Sequence, residues 1–174
     1  MNSTPRRTLL ARSIASLGLV AATLLSQAHA AKSHALILWI GDYGRADLNL
    51  PGIDTDARLA RQMAMKMGVK ADDIREVSNR GLNVDGFVRA FSDLEGRVGQ
   101  GDQVFIYFSG HGYQEGAGSQ CRESLVGYGP SFFSDEQMKS TLERLGQKAR
   151  QVIMMNDSCF SGGAASSKQA NLTP

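Results

Sequence analysis

The sequence predicts an α/β layered fold built on a mainly parallel sheet, and three observations carry that prediction. Residues 34–40 (HALILWI), 103–108 (QVFIYF) and 151–155 (QVIMM) are short, largely apolar runs of the kind a strand shows when both its faces are covered. Amphipathic stretches of helical period lie between them, at 54–67, 83–94 and 134–145. Turn signals separate the two kinds of run, and the chain has no repeat, linker or low-complexity segment.

Taken in order, the first run stops at Gly41-Asp42, and a polar loop leads to Pro51-Gly52. Ala57, Leu59, Ala60, Met63, Ala64 and Met67 then share one side of a helix. Asp54 or Thr55 is expected to cap it, and Gly68 suits the left-handed position after its end. The methionines read as core filler. Residues 74–77 form a short strand. Asn83 caps a second helix with Val84, Phe87, Val88, Phe91 and Leu94 on one face, weakened but not broken by Gly86. Gly101-Asp102 turns into the second long strand. Residues 113–122 (YQEGAGSQCR) show no period and read as an exposed loop, and 124–128 as a brief strand. Ser134 and Gln137 frame a capping box, which opens a helix with Met138, Leu142 and Leu145 facing inward. Residues 151–155 are the last strand.

The length of 174 residues suits one domain. Residues 1–30 read as a signal peptide: Arg6, Arg7 and Arg12 give a basic start, 14–25 are apolar, and Ala28-His29-Ala30 fits a cleavage site. A membrane anchor is the alternative, but the apolar run is short for a span of about 20 residues. Export to the periplasm or the extracellular space is therefore expected, with no stable anchor after cleavage. The rest, 31–174, reads as one domain whose 16 Lys/Arg face 17 Asp/Glu, so the chain's basic excess belongs to the leader. That balance offers no surface for nucleic acid. Cys121 and Cys159 leave two readings open, a disulfide between them or a free and reactive Cys159.

Two of the strand-like runs end at chemistry. His111 follows one and Cys159 another, each beside Ser-Gly. In open parallel sheets, sites form outside the carboxyl ends of the strands. Neighbouring strands would bring the two side chains to one edge, where an imidazole activates a thiol and later protonates a leaving amine. Backbone N–H groups of Gly112 and Cys159 are then the natural oxyanion donors. The bland alternative is a structural histidine and a small buried cysteine.

At this point the residues carry a resemblance. Ser109-Gly110-His111-Gly112, followed by Asp157-Ser158-Cys159-Phe160-Ser161-Gly162, resembles the caspase-like cysteine peptidases, and most nearly a bacterial metacaspase. His111 and Cys159 stand 48 residues apart, near the spacing of caspase signatures. Gly52 to Ala57 (GIDTDA) is similar to the family's early Asp-Ala turn, and Glu123 to Val126 (ESLV) to its Glu-x-Leu segment.

That resemblance implies a three-layer caspase-like fold, a His111/Cys159 dyad, and Asp56 with Asp157 in the pocket that selects the residue before the scissile bond. Two carboxylates there favour Arg or Lys. The arginine that caspases proper place before the early glycine is replaced by Leu50 and Pro51, which argues against cleavage after Asp. As alternatives, Asp56 is a first-turn helix acid and Asp157 a turn-forming one. Phe160 stands where many metacaspases have His. The family's fold continues well past the nucleophile, whereas 164–174 are polar and show no strand pattern. The sequence therefore reads as a large-subunit part lacking its C-terminal strands. Its partners would be a peptide or protein substrate and a complementing C-terminal segment. The alternative function is a non-catalytic binding or scaffold module, or an inactive remnant. No cofactor is expected; calcium activation fits the resemblance, but no ligand is assignable.

Overall fold

A computed structural model describes residues 30–116, 122–129 and 131–159. Four strands, β1 (Ser33–Trp39), β2 (Ile74–Ser78), β3 (Gln103–Ser109) and β7 (Gln151–Asp157), form one parallel sheet in the order β2-β1-β3-β7. Register runs straight across it, with Trp39 opposite Ser109 and Ser109 opposite Asp157. A smaller antiparallel sheet joins β4 (Gly112–Glu115), β5 (Arg122–Gly127) and β6 (Ser131–Ser134).

The central strands are apolar throughout because helices cover both faces. Helix α1 (Ile53–Lys66) lies over Ala35, Ile37, Phe105 and Tyr107. On the other face, α2 (Val84–Arg97) and α3 (Asp135–Gly146) pack on Leu36, Leu38, Ile106 and Phe108. Phe133 of β6 stacks against Phe87 and Phe91, both at 5.3 Å, which fastens the small sheet to α2.

Several sequence-based expectations change. Ala57, Ala60 and Ala64 alone form the buried side of α1, whereas Leu59, Met63 and Met67 are exposed, so these methionines are not core filler. The stripe narrows because an alanine face lets the helix lie close to the sheet. Neither Asp54 nor Thr55 caps α1: Gly52 holds the N-cap position at φ 95° with no side-chain cap, and Asp54 and Asp56 are the acids of the first turn. The left-handed Gly68 after the helix is found, at φ 89°. Asn83 does cap α2, accepting from the Gly86 N–H at 2.8 Å, but Val84 and Val88 are exposed and Ala90 takes their place in the core. Gly86 is required there, since a Cβ on it would stand 1.8 Å from the Gly81 carbonyl oxygen. The capping box at Ser134 and Gln137 is complete. The stretch read as a loop after His111 begins as strand β4, whose side chains face mostly outward and so show no apolar signal. Residues 117–121, with Cys121, and 1–29 of the leader lie outside the described residues, as do 160–174. Among the described residues, no helix is long and apolar enough to cross a membrane.

The amino edge of the sheet is tied by Asp102, fully buried before β3. Its carboxylate accepts from the backbone N–H groups of Lys32 and Gly99, at 2.7 and 2.8 Å, and lies 3.0 Å from His34 Nε2. Burial alone would raise its pKa; these donors outweigh burial and hold it below the ordinary value. His34 is therefore a structural group, at the edge opposite His111.

Candidate active site

Connections leave β1 in one direction toward β2, and the chain then returns to place β3 on β1's other side. Such a switch point opens a crevice at the carboxyl edge, where ligands sit in open α/β sheets. The loop after β1 and the residues after β3 and β7 meet there.

His111, two residues beyond β3, is held at every polar group that the hydrogen bonds reach. Its N–H donates to the Tyr43 hydroxyl at 2.6 Å, and its carbonyl accepts from the Val126 N–H at 2.9 Å. Ring Nε2 stands 2.8 Å from the Leu48 carbonyl oxygen. A carbonyl only accepts, so Nε2 carries a proton, and in the neutral ring Nδ1 then holds the lone pair. The Tyr43 ring lies 4.9 Å from the imidazole at 41°. Burial pushes the Tyr43 phenol up to about 12, against the opposing pull of the His111 N–H. Gly110 must be glycine: a Cβ would meet the Tyr43 oxygen at 2.7 Å and the Phe108 ring at 2.9 Å.

Cys159, two residues beyond β7, carries a free and exposed thiol. The turn before it is pinned by Ser158, whose Oγ donates to Asn156 Oδ1 at 3.0 Å. Gly112 lies against the Cys159 backbone, so the histidine and cysteine segments touch through a glycine. The Gly110 N–H donates to the Asp157 carbonyl at 3.3 Å and extends the β3–β7 pairing into the site. Both expected oxyanion donors thus lie on adjoining backbone.

The charges of both acids bear on one buried phenol. Asp157 ends β7 and Asp56 lies in the first turn of α1, and both act on the phenol of Tyr107. That hydroxyl donates to Asp157 Oδ2 at 3.5 Å. Burial is the main cause that raises the Tyr107 phenol; the Ser109 hydroxyl opposes it, and the charges of Asp157 and Asp56 add to it. Among the described residues, no group of three His, Cys, Asp or Glu side chains could hold a metal.

Three contributors escaped sequence reasoning: Tyr43, the Leu48 carbonyl and Tyr107. Tyr43 sits in a polar loop and Tyr107 inside an apolar strand, where each passes for ordinary filling. The loop after β1 brings Tyr43 to the site, and the strand register brings Tyr107.

A histidine and a free thiol thus stand on one carboxyl edge of a parallel α/β sheet. Residues 32–173 match the family model described as the caspase domain, so the chain belongs to the caspase-domain family, which is a family of cysteine peptidases. Its fold is similar to the crystal structure of a structural-genomics target protein from Geobacter sulfurreducens, with a TM-score of 0.58 and 21% sequence identity. That likeness covers 74% of this chain and 50% of the other, so the chain spans about half the length of the structure it matches. No curated protein is a match.

Proposed function

We propose that this chain is the catalytic part of an exported, metacaspase-type cysteine endopeptidase that cleaves after Arg or Lys. The observation that carries the reading is the contact of Gly112 with the Cys159 backbone, beside a histidine whose tautomer is set by Leu48. His111 Nδ1 takes the Cys159 thiol proton, and the thiolate adds to the scissile carbonyl. The N–H groups of Gly112 and Cys159 receive the oxyanion. His111 then protonates the leaving amine, which leaves a thioester, and water attacks it with the same imidazole as base. Asp56 and Asp157 take the cationic side chain of the substrate.

The test uses fluorogenic peptides with Arg, Lys or Asp before the leaving group. Turnover of the Arg and Lys peptides is expected, with loss of at least about a thousandfold in Cys159→Ala and His111→Ala. Turnover unchanged in Cys159→Ala would overturn the dyad. N-terminal sequencing of secreted protein tests the leader, with Ala31 the expected first residue.

A second reading, a non-catalytic caspase-like module, is favoured by one observation. Among the described residues β7 is an edge strand, and Met155 on it is exposed beside the site. An open edge is also where a complementing strand would pair. Wild-type protein that binds a basic peptide aldehyde but turns over no substrate would support the module.

A further inference from the structure

Tyr107 belongs to no part of the mechanism just described, yet its hydroxyl reaches Asp157 and senses the charge of Asp56. It is 6% exposed, on the face of β3 that α1 covers. Register sets Ser109 opposite Asp157, so Tyr107 lies one diagonal step from Asp157 on the same face. Its hydroxyl reaches Asp157 Oδ2 at 3.5 Å, and Asp56 acts on it from the first turn of α1. Asp157 itself is exposed at the end of its strand. An exposed carboxylate rotates freely unless something fixes its plane, because terminal sp³–sp² torsions are broad. Tyr107 is the buried group whose hydroxyl reaches it.

We propose that Tyr107 is a positioning residue for substrate selection, which orients the Asp157 carboxylate and so favours arginine over lysine before the scissile bond. The inference rests on the peptidase reading above. A guanidinium pairs with a carboxylate through two parallel N–H donors, so the carboxylate's plane matters to it. An ammonium is a compact charge with rotatable donors, and orientation matters to it far less. Tyr107 is also suited to remain a neutral donor, because burial and two nearby carboxylates disfavour the phenolate. Its ring belongs to the core, so the hydroxyl reaches Asp157 Oδ2 from the buried side.

The experiment compares matched Arg and Lys peptides on wild type and Tyr107→Phe, with kcat and KM separated. Tyr107→Phe should raise KM for the Arg peptide about fivefold, the scale of one neutral hydrogen bond, and for the Lys peptide less than about twofold. The kcat values should be unchanged. Within an Asp157→Asn background, Tyr107→Phe should no longer alter the Arg/Lys ratio. Equal effects on both peptides, or a fall in kcat, would overturn the proposal and leave the peptidase reading standing. Wild type that cleaves neither basic peptide would overturn both. Should Tyr107→Phe fold poorly, the phenol of folded Asp157→Asn is titrated by its absorbance. A downward move of the Tyr107 titration supports the contact, and an unmoved one overturns it.

Discussion

Gly112 lies so close to Cys159 that a Cβ built on it would stand 1.8 Å from the Cys159 carbonyl oxygen. No flexible side chain can yield there, because the obstacle is backbone. Gly112→Ala must push the cysteine turn away from the histidine turn. A displacement on the order of 1 Å at a catalytic pair costs about a hundredfold in rate. We expect kcat to fall at least that far, with stability lowered by about 1–3 kcal/mol, in line with overpacking of a tight site. Peptide turnover measured beside thermal unfolding checks this. Normal turnover would sink the assigned geometry.

Tyr43 holds His111 by its backbone and its ring together. Tyr43→Phe keeps the ring but leaves the His111 N–H without its acceptor, a loss of about 1 kcal/mol in stability. Because the phenol is raised to about 12 in the folded state and titrates near 10 when unfolded, wild-type stability falls as pH rises from about 10 to 12. Tyr43→Phe should remove part of that alkaline loss. Urea melts at pH 8 and pH 11 read it directly.

Asp102 gives the opposite sign. Its carboxyl is held below the ordinary value, so it stabilises the fold above about pH 4, and that contribution fades as pH falls through its folded pKa. In Asp102→Asn the acid-side dependence should flatten, and stability at pH 7 should drop by about 2–4 kcal/mol, since a buried acceptor of three donors is replaced by a poorer one. Denaturant melts from pH 3 to pH 7 compare the two proteins. Parallel curves would contradict the assignment.

Gly86 sets propensity against packing. Alanine is the better helix former by about 1 kcal/mol. Its Cβ, however, would stand 1.8 Å from the Gly81 carbonyl oxygen, so α2 would have to shift. Packing wins, and Gly86→Ala should lower stability by about 1–3 kcal/mol by chemical denaturation. A gain would show that the turn before α2 yields easily.

The parallel sheet was legible because long apolar runs ended by turns have few other solutions. The caps at Asn83 and Ser134 were read from local chemistry and hold, whereas the cap expected at Asp54 or Thr55 does not form. The small sheet was not legible as such. Its strand β4 exposes most of its side chains, and β6 is four residues long, with one phenylalanine inward and the other outward. The side of α1 was read too broadly, since a helix resting on alanines buries less of its circumference than its apolar residues suggest.

At the candidate site, the chain alone determined which residues carry reactive groups. His111, Cys159 and the two acids are marked by local sequence, because each ends a strand or opens a helix at a turn. Tertiary structure decided what surrounds them. The β1–β3–β7 register brought the histidine and cysteine segments into contact and set Tyr107 under Asp157. The polar loop after β1 delivered Tyr43 and the Leu48 carbonyl to the imidazole across more than 60 residues of chain. Hydrogen bonds between groups so far apart depend on strand order, which no local pattern records.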